Sequence, residues 1–157
     1  LMGIPSFETP DYSELFAEEK EMIGKLKKAF LMVAGGAVQK YGPDLDGHQQ
    51  LLIAAADILI EIYMAESTIL RTEKLAKTKG EAAVKEQIAM AQLYLYKAVD
   101  IITQKGKEGI VSFAEGDEQR MMLMGLRRYT KYTNMPNVIG LREIITSKLV
   151  AENAYCF

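Results

Sequence analysis

Apolar residues recur at three- and four-residue steps along almost the whole chain, and the rhythm stops where proline or glycine stands. That spacing places apolar side chains on one face of a helix, whereas a strand needs strict alternation between turn signals, which is absent here. The four prolines, Pro5, Pro10, Pro43 and Pro136, all fall at such stops. Gly42, Gly47, Gly80, Gly106, Gly109 and Gly116 mark similar breaks, and the stretches between are rich in the strong helix formers Ala, Leu, Met, Glu and Lys. The expected fold class is therefore all-α: an antiparallel up-and-down helical bundle of four long helices plus a short C-terminal helix.

The first helix is expected from about Asp11 to Tyr41, with Asp11 and Glu14 as a capping box and an inward stripe of Leu15, Met22, Ile23, Leu26, Phe30, Val33 and Ala37. Gly35 and Gly36 inside it mark a kink or a close helix contact. The second, about Gly47 to Lys79, is apolar over most of its circumference and leaves a thin polar line of Gln50, Asp57, Glu61 and Thr68. A helix of that kind is expected at the centre, packed on several sides. The third runs from about Glu81 to Lys105, and the fourth from about Asp117 to Thr133 with Met121, Met124 and Leu126 inward. Asn137 caps the last. These spacings predict rods of roughly 37–50 Å for the second and third helices.

A chain of 157 residues, 49% apolar and 25% charged, is the size and composition of one globular domain. Its net charge of −2 gives no basic field for nucleic acid or anionic lipid. No apolar run reaches the ~18–20 residues that span a bilayer, and LMGIPSFETP is too short and too rich in proline for a signal peptide. Leu1 in place of an initiating Met points to a piece cut from a longer chain or to a removed tag. A cytoplasmic location is expected.

Chemistry finds little purchase. A di-iron bundle needs two Glu-x-x-His pairs, and the single histidine, His48, has Leu45 three residues before it. Cys156 is the penultimate residue with no catalytic motif around it, and neither GxGxxG nor GxxxxGK[ST] occurs. Catalytic, cofactor-binding and metal residues are thus read as none. Asp57 and Glu61, four apart, share a helix face; an acid–base pair is one reading, a solvated stripe or a polar interface the plainer one. Arg127-Arg128-Tyr129-Thr130-Lys131-Tyr132 reads first as a solvated helix face, next as an intramolecular or subunit contact, last as a phosphate or nucleic-acid site. The candidate interface residues are Asp57, Glu61, Arg127, Arg128 and Lys131. A ligand pocket between Tyr63, Tyr94 and Tyr96 is a weaker alternative.

Segment by segment, the order of elements resembles the extra C-terminal region of very-long-chain-type acyl-CoA dehydrogenases. The resemblance runs through an extended linker (LMGIPSFETPDY), a long helix (SELFAEEKEMIGKLKKAFLMVAGGAVQKYG), an apolar helical pair beginning HQQLLIAAADILIEIYM and EAAVKEQIAMAQLYLYK, and a phenylalanine-ended tail (NVIGLREIITSKLVAENAYCF). It implies that residues 1–10 are a linker from an upstream domain and 11–157 a helical bundle domain. It implies a parent flavoenzyme that oxidises the Cα–Cβ bond of a fatty acyl-CoA with FAD and a glutamate base, all held upstream, so this chain is expected to be inactive alone. The implied partners are the upstream catalytic domains of the same chain and further copies of it, as a homo-oligomer. Membrane association, known in mitochondrial relatives, is not expected without a strongly basic amphipathic stretch. The alternative reading is a free-standing helical-bundle interaction module.

Overall fold

The structure, a computed structural model, describes residues 14–156. The expected linker at 1–10 and the Asp11 end of the predicted capping box lie outside the described residues. Five helices follow one another: α1 (Ala17–Tyr41), α2 (Gln49–Lys79), α3 (Lys85–Phe113), α4 (Gly116–Tyr129) and α5 (Val138–Glu152), with 3-10 turns at Gly42–Gly47 and Glu81–Val84. No strand occurs among the described residues. The all-α bundle expected from the rhythm is what forms, with three long helices and two of about half their length.

Pairings along the helices give their directions. Lys20 meets Glu73 and Lys27 meets Glu66, so α1 and α2 run antiparallel. Asp57 meets Lys105 and Glu61 meets Tyr94, so α2 and α3 do too. The reversals are short because glycine takes backbone angles other residues avoid: Gly80, at φ +86°, ends α2 with its N–H on the Ala76 carbonyl at 2.8 Å. The core is filled by Leu26 and Val33 of α1, Ile58 and Ile69 of α2, Leu95, Ile102 and Ile110 of α3, and Leu126 of α4, all nearly inaccessible. Each such side chain contributes roughly 1.5–3 kcal/mol through burial.

Four expectations are corrected. First, α1 starts at Ala17, behind the αL residue Phe16 and without a side-chain cap; Glu14 lies before the helix. Second, α3 does not stop at Lys105 but continues through Gly106 and Gly109 to Phe113. Those glycines are spacers inside a helix. A Cβ on Gly106 would lie 2.7 Å from Leu126 Cδ1, and one on Gly109 would lie 3.0 Å from Val33 Cγ1. Third, α4 ends at Tyr129 rather than Thr133, and it is rotated so that Leu126 is buried while Met121 and Met124 are about 70% exposed. Met122 packs against the core instead. Fourth, the central helix is α3, which touches α1, α2, α4 and α5; α2 packs only on α1, α3 and the turns beside it.

Candidate functional site

The polar line of α2 turns toward α3. Asp57 Oδ2 lies 3.3 Å from Lys105 Nζ, which also meets Glu108 Oε2 at 3.3 Å. Glu108 first and Asp57 second hold the Lys105 ammonium above its usual range, while Gln104 and Lys105 hold the Glu108 carboxyl below its own. Glu61 Oε2 accepts the Tyr94 hydroxyl at 3.0 Å; burial, then the Glu61 charge, push that phenol up to about 12. Asp57 and Glu61 are thus brought together on one face, each with a partner on α3. Their chemistry there is to fix the α2–α3 register.

Arg127 and Arg128 are exposed in the last turn of α4, where their charge complements the helix C-terminus, and Lys131 is exposed just beyond it. None of the three has an ion pair among the described residues, and α2 and α4 do not pack together. The five candidate residues therefore form two separate groups. The three tyrosines of the pocket reading part company as well. Tyr63 is 67% exposed, Tyr94 is tied to Glu61, and Tyr96 stacks on Tyr132 with ring centroids 6.3 Å apart.

A recess of about 150 Å³ opens where the start of α1, the middle of α3 and residues 132–136 meet. Its rim is already engaged. Gln92 Nε2 donates to Glu19 Oε1 and Asn134 Nδ2 to Glu18 Oε1, both at 2.6 Å, and Lys25 Nζ lies 2.6 Å from Glu21 Oε1. Tyr132 projects a buried hydroxyl with no hydrogen-bond partner among the described residues; burial first, then Glu19 and Asp100, drive its ionisation far above the ordinary range for tyrosine. The sequence reading includes Tyr132 in its basic, aromatic run but takes only Arg127, Arg128 and Lys131 from it as candidates. Glu86, only 5% exposed, was missed: it anchors α5 through Lys148 at 3.6 Å, a contact 62 positions away in sequence with no local trace.

Apolar surface is the more prominent feature. The side of α2 away from α1 and α3 exposes Ile53, Leu59, Ile60, Tyr63 and Leu70, each by half or more. Helix α5 has no buried residue at all, although Ile139, Ile144, Leu149 and Val150 make it apolar on several sides. Fully solvated rows of this kind favour association. Among the described residues no helix is long and apolar enough to cross a membrane, and no group of three or more His, Cys, Asp or Glu is placed to hold a metal ion.

Comparison with known proteins places this bundle. Residues 25–128 match the family model described as acyl-CoA dehydrogenase, C-terminal domain. The chain belongs to the acyl-CoA dehydrogenase family. It is 36% identical over 140 residues to a probable acyl-CoA dehydrogenase of Bacillus subtilis (strain 168), covering 89% of this chain and 24% of that protein. It superposes with a TM-score of 0.86 and 38% identity on the crystal structure of an acyl-CoA dehydrogenase complexed with FAD from Bacillus anthracis, covering 92% of this chain and 24% of that one. The chain thus spans about a quarter of the length of these relatives. The recess formed by α1, α3 and residues 132–136 does not fit a flavin dinucleotide. The recess beside Tyr132 is smaller than the ~300 Å³ at which ligand pockets commonly begin, and its rim pairs acids with its only ammonium and two amides rather than presenting donors to a pyrophosphate.

Proposed function

We propose that this chain is the non-catalytic C-terminal domain of an FAD-dependent acyl-CoA dehydrogenase acting in fatty acid β-oxidation, and that it packs on the catalytic body and takes part in subunit assembly. The observation that carries this reading is the pairing of family membership with the distribution of surface. A domain that matches a quarter of its relatives presents apolar rows on α2 and α5, while its interior polar groups are spent on holding helices together. FAD, the acyl-CoA substrate and the base that removes the α-proton belong, in this reading, to the upstream three quarters. Upstream domains of the same chain and further copies of it are the partners, and the cytoplasm is the location.

Asp57 and Glu61 contribute from within by fixing α2 so that its outer row stays straight. Arg127, Arg128 and Lys131 offer unpaired positive charge at one end of the bundle for contact with the catalytic body. Truncation tests the reading. A full-length enzyme ending before this domain should keep its flavin while losing its native oligomeric mass by light scattering and several degrees of melting temperature. A truncated enzyme with unchanged mass and melting temperature would contradict it.

A further inference from the structure

The outer face of α2 carries a second register besides the one that packs inward. Leu52, Ala56, Leu59, Tyr63, Glu66 and Leu70 follow steps of four, three, four, three and four residues, the spacing of a helix–helix seam. The seam is nearly symmetric about the level of Glu61. Turned end for end, Leu52 comes opposite Leu70, Leu59 opposite Tyr63, and the small Ala56 opposite the longer Glu66. The one charge on it is neutralised within the chain, since Glu66 Oε1 lies 2.6 Å from Lys27 Nζ. Leu31 of α1, 65% exposed, widens the row beside Leu59 and Tyr63.

We propose that two copies of this chain pair through this seam, α2 against α2, antiparallel about a two-fold axis. A two-fold interface has to be complementary to itself, and a row that maps onto its own reversal meets that condition. The charges flanking it agree on direction. Reversal brings Lys74 and Lys77 of one copy to the level of the exposed Asp44 and Asp46 of the other, whereas a parallel pair stacks lysine on lysine. Along the seam Leu52, Leu59, Tyr63 and Leu70 are exposed by 38%, 50%, 67% and 53%, and Leu31 beside them by 65%, an apolar row five turns long that is left for a partner helix. The pairing names a surface for the assembly role proposed above, and it stands or falls separately from the dehydrogenase assignment.

Sedimentation equilibrium on the 157-residue chain tests it. The chain should form a reversible dimer with a dissociation constant on the order of micromolar or tighter. Leu59→Glu or Tyr63→Glu, both at positions already half or more exposed, should raise that constant about 100-fold with unchanged helical circular dichroism. Ile139→Glu on α5 should leave the dimer intact. In a Cys156→Ser background, spin labels on Lys74→Cys should lie about 40 Å apart, from 26 residues of helix at ~1.5 Å each. A chain that stays monomeric, a dimer that ignores the α2 changes or is split by Ile139→Glu, or labels about 10 Å apart as in a parallel pair, overturns the proposal.

Discussion

Gly35 and Gly36 are neighbours in sequence and opposites in surroundings. A Cβ on Gly35 would meet nothing within 4 Å, whereas one on Gly36 would lie 2.9 Å from the Phe113 ring and 2.8 Å from Met122 Cε. Both glycines are helical, so alanine gains backbone propensity at each, up to about 1 kcal/mol. At Gly35 that gain stands alone, and Gly35→Ala should raise unfolding stability by that amount. At Gly36 the new methyl enters a filled contact, and overpacking at about 1–3 kcal/mol outweighs the gain; Gly36→Ala should be destabilised. Urea unfolding of the two variants checks the pair, and equal effects would mean that α1 does not approach the α3–α4 corner as closely as described. Two glycines inside a helical run mark a kink or a close contact, and the contact is real at one of the two. The same reasoning failed at Gly106 and Gly109, read as a break. A helix-breaking glycine and a glycine that lets two helices touch have the same letter, and only the approach of Leu126 and Val33 separates them.

Between elements, the polar contacts act as registers rather than reagents. Glu73 of α2, its side chain 16% exposed, lies 3.0 Å from Lys20 of α1 and 3.2 Å from Lys77 of its own helix. Hydrogen bonds from Lys20 and then Lys77 hold its carboxyl below the ordinary 4.5. A lowered folded-state value means that the stabilisation is fully present above pH 4.5 and is lost as the pH falls below it through the folded value. Glu73→Gln should therefore cost a few tenths to about 1 kcal/mol at pH 7, and the gap between variant and parent should narrow at a pH well below 4.5. Thermal midpoints at the two pH values check this; a gap that persists in acid would assign the loss to packing. The existence, order and approximate ends of most helices were legible because period 3.6 and strong formers agree along them. The rotation of α4 was not. Four apolar residues in a row, Met121 to Met124, satisfy either face, and the choice is made by Gly125 against Met32 and Leu126 against Gly106.

At the scale of the molecule, the apolar circumference of α2 was read correctly and placed wrongly. A helix greasy all round was expected in the centre, yet it sits beside the central α3 with its outer row in solvent. Periodicity reports which side chains avoid water, not whether the cover comes from the same 157 residues. A partner outside the bundle satisfies the pattern as well as a neighbour inside it. The candidate interface residues show a similar limit: charge and spacing picked out Asp57 and Glu61, but their partners Lys105 and Tyr94 lie 33 to 48 positions away. The relatives are about four times as long as this chain, and in the function proposed above such rows are covered by the rest of a chain of that length. In that proposal the bundle serves as a packing domain and leaves the redox chemistry to other parts of the longer chain. Titrating the purified chain with FAD while following flavin fluorescence tests it most directly: the signal should rise linearly with added flavin and show no saturation, whereas a saturable one-to-one complex with a shifted flavin spectrum would contradict the account.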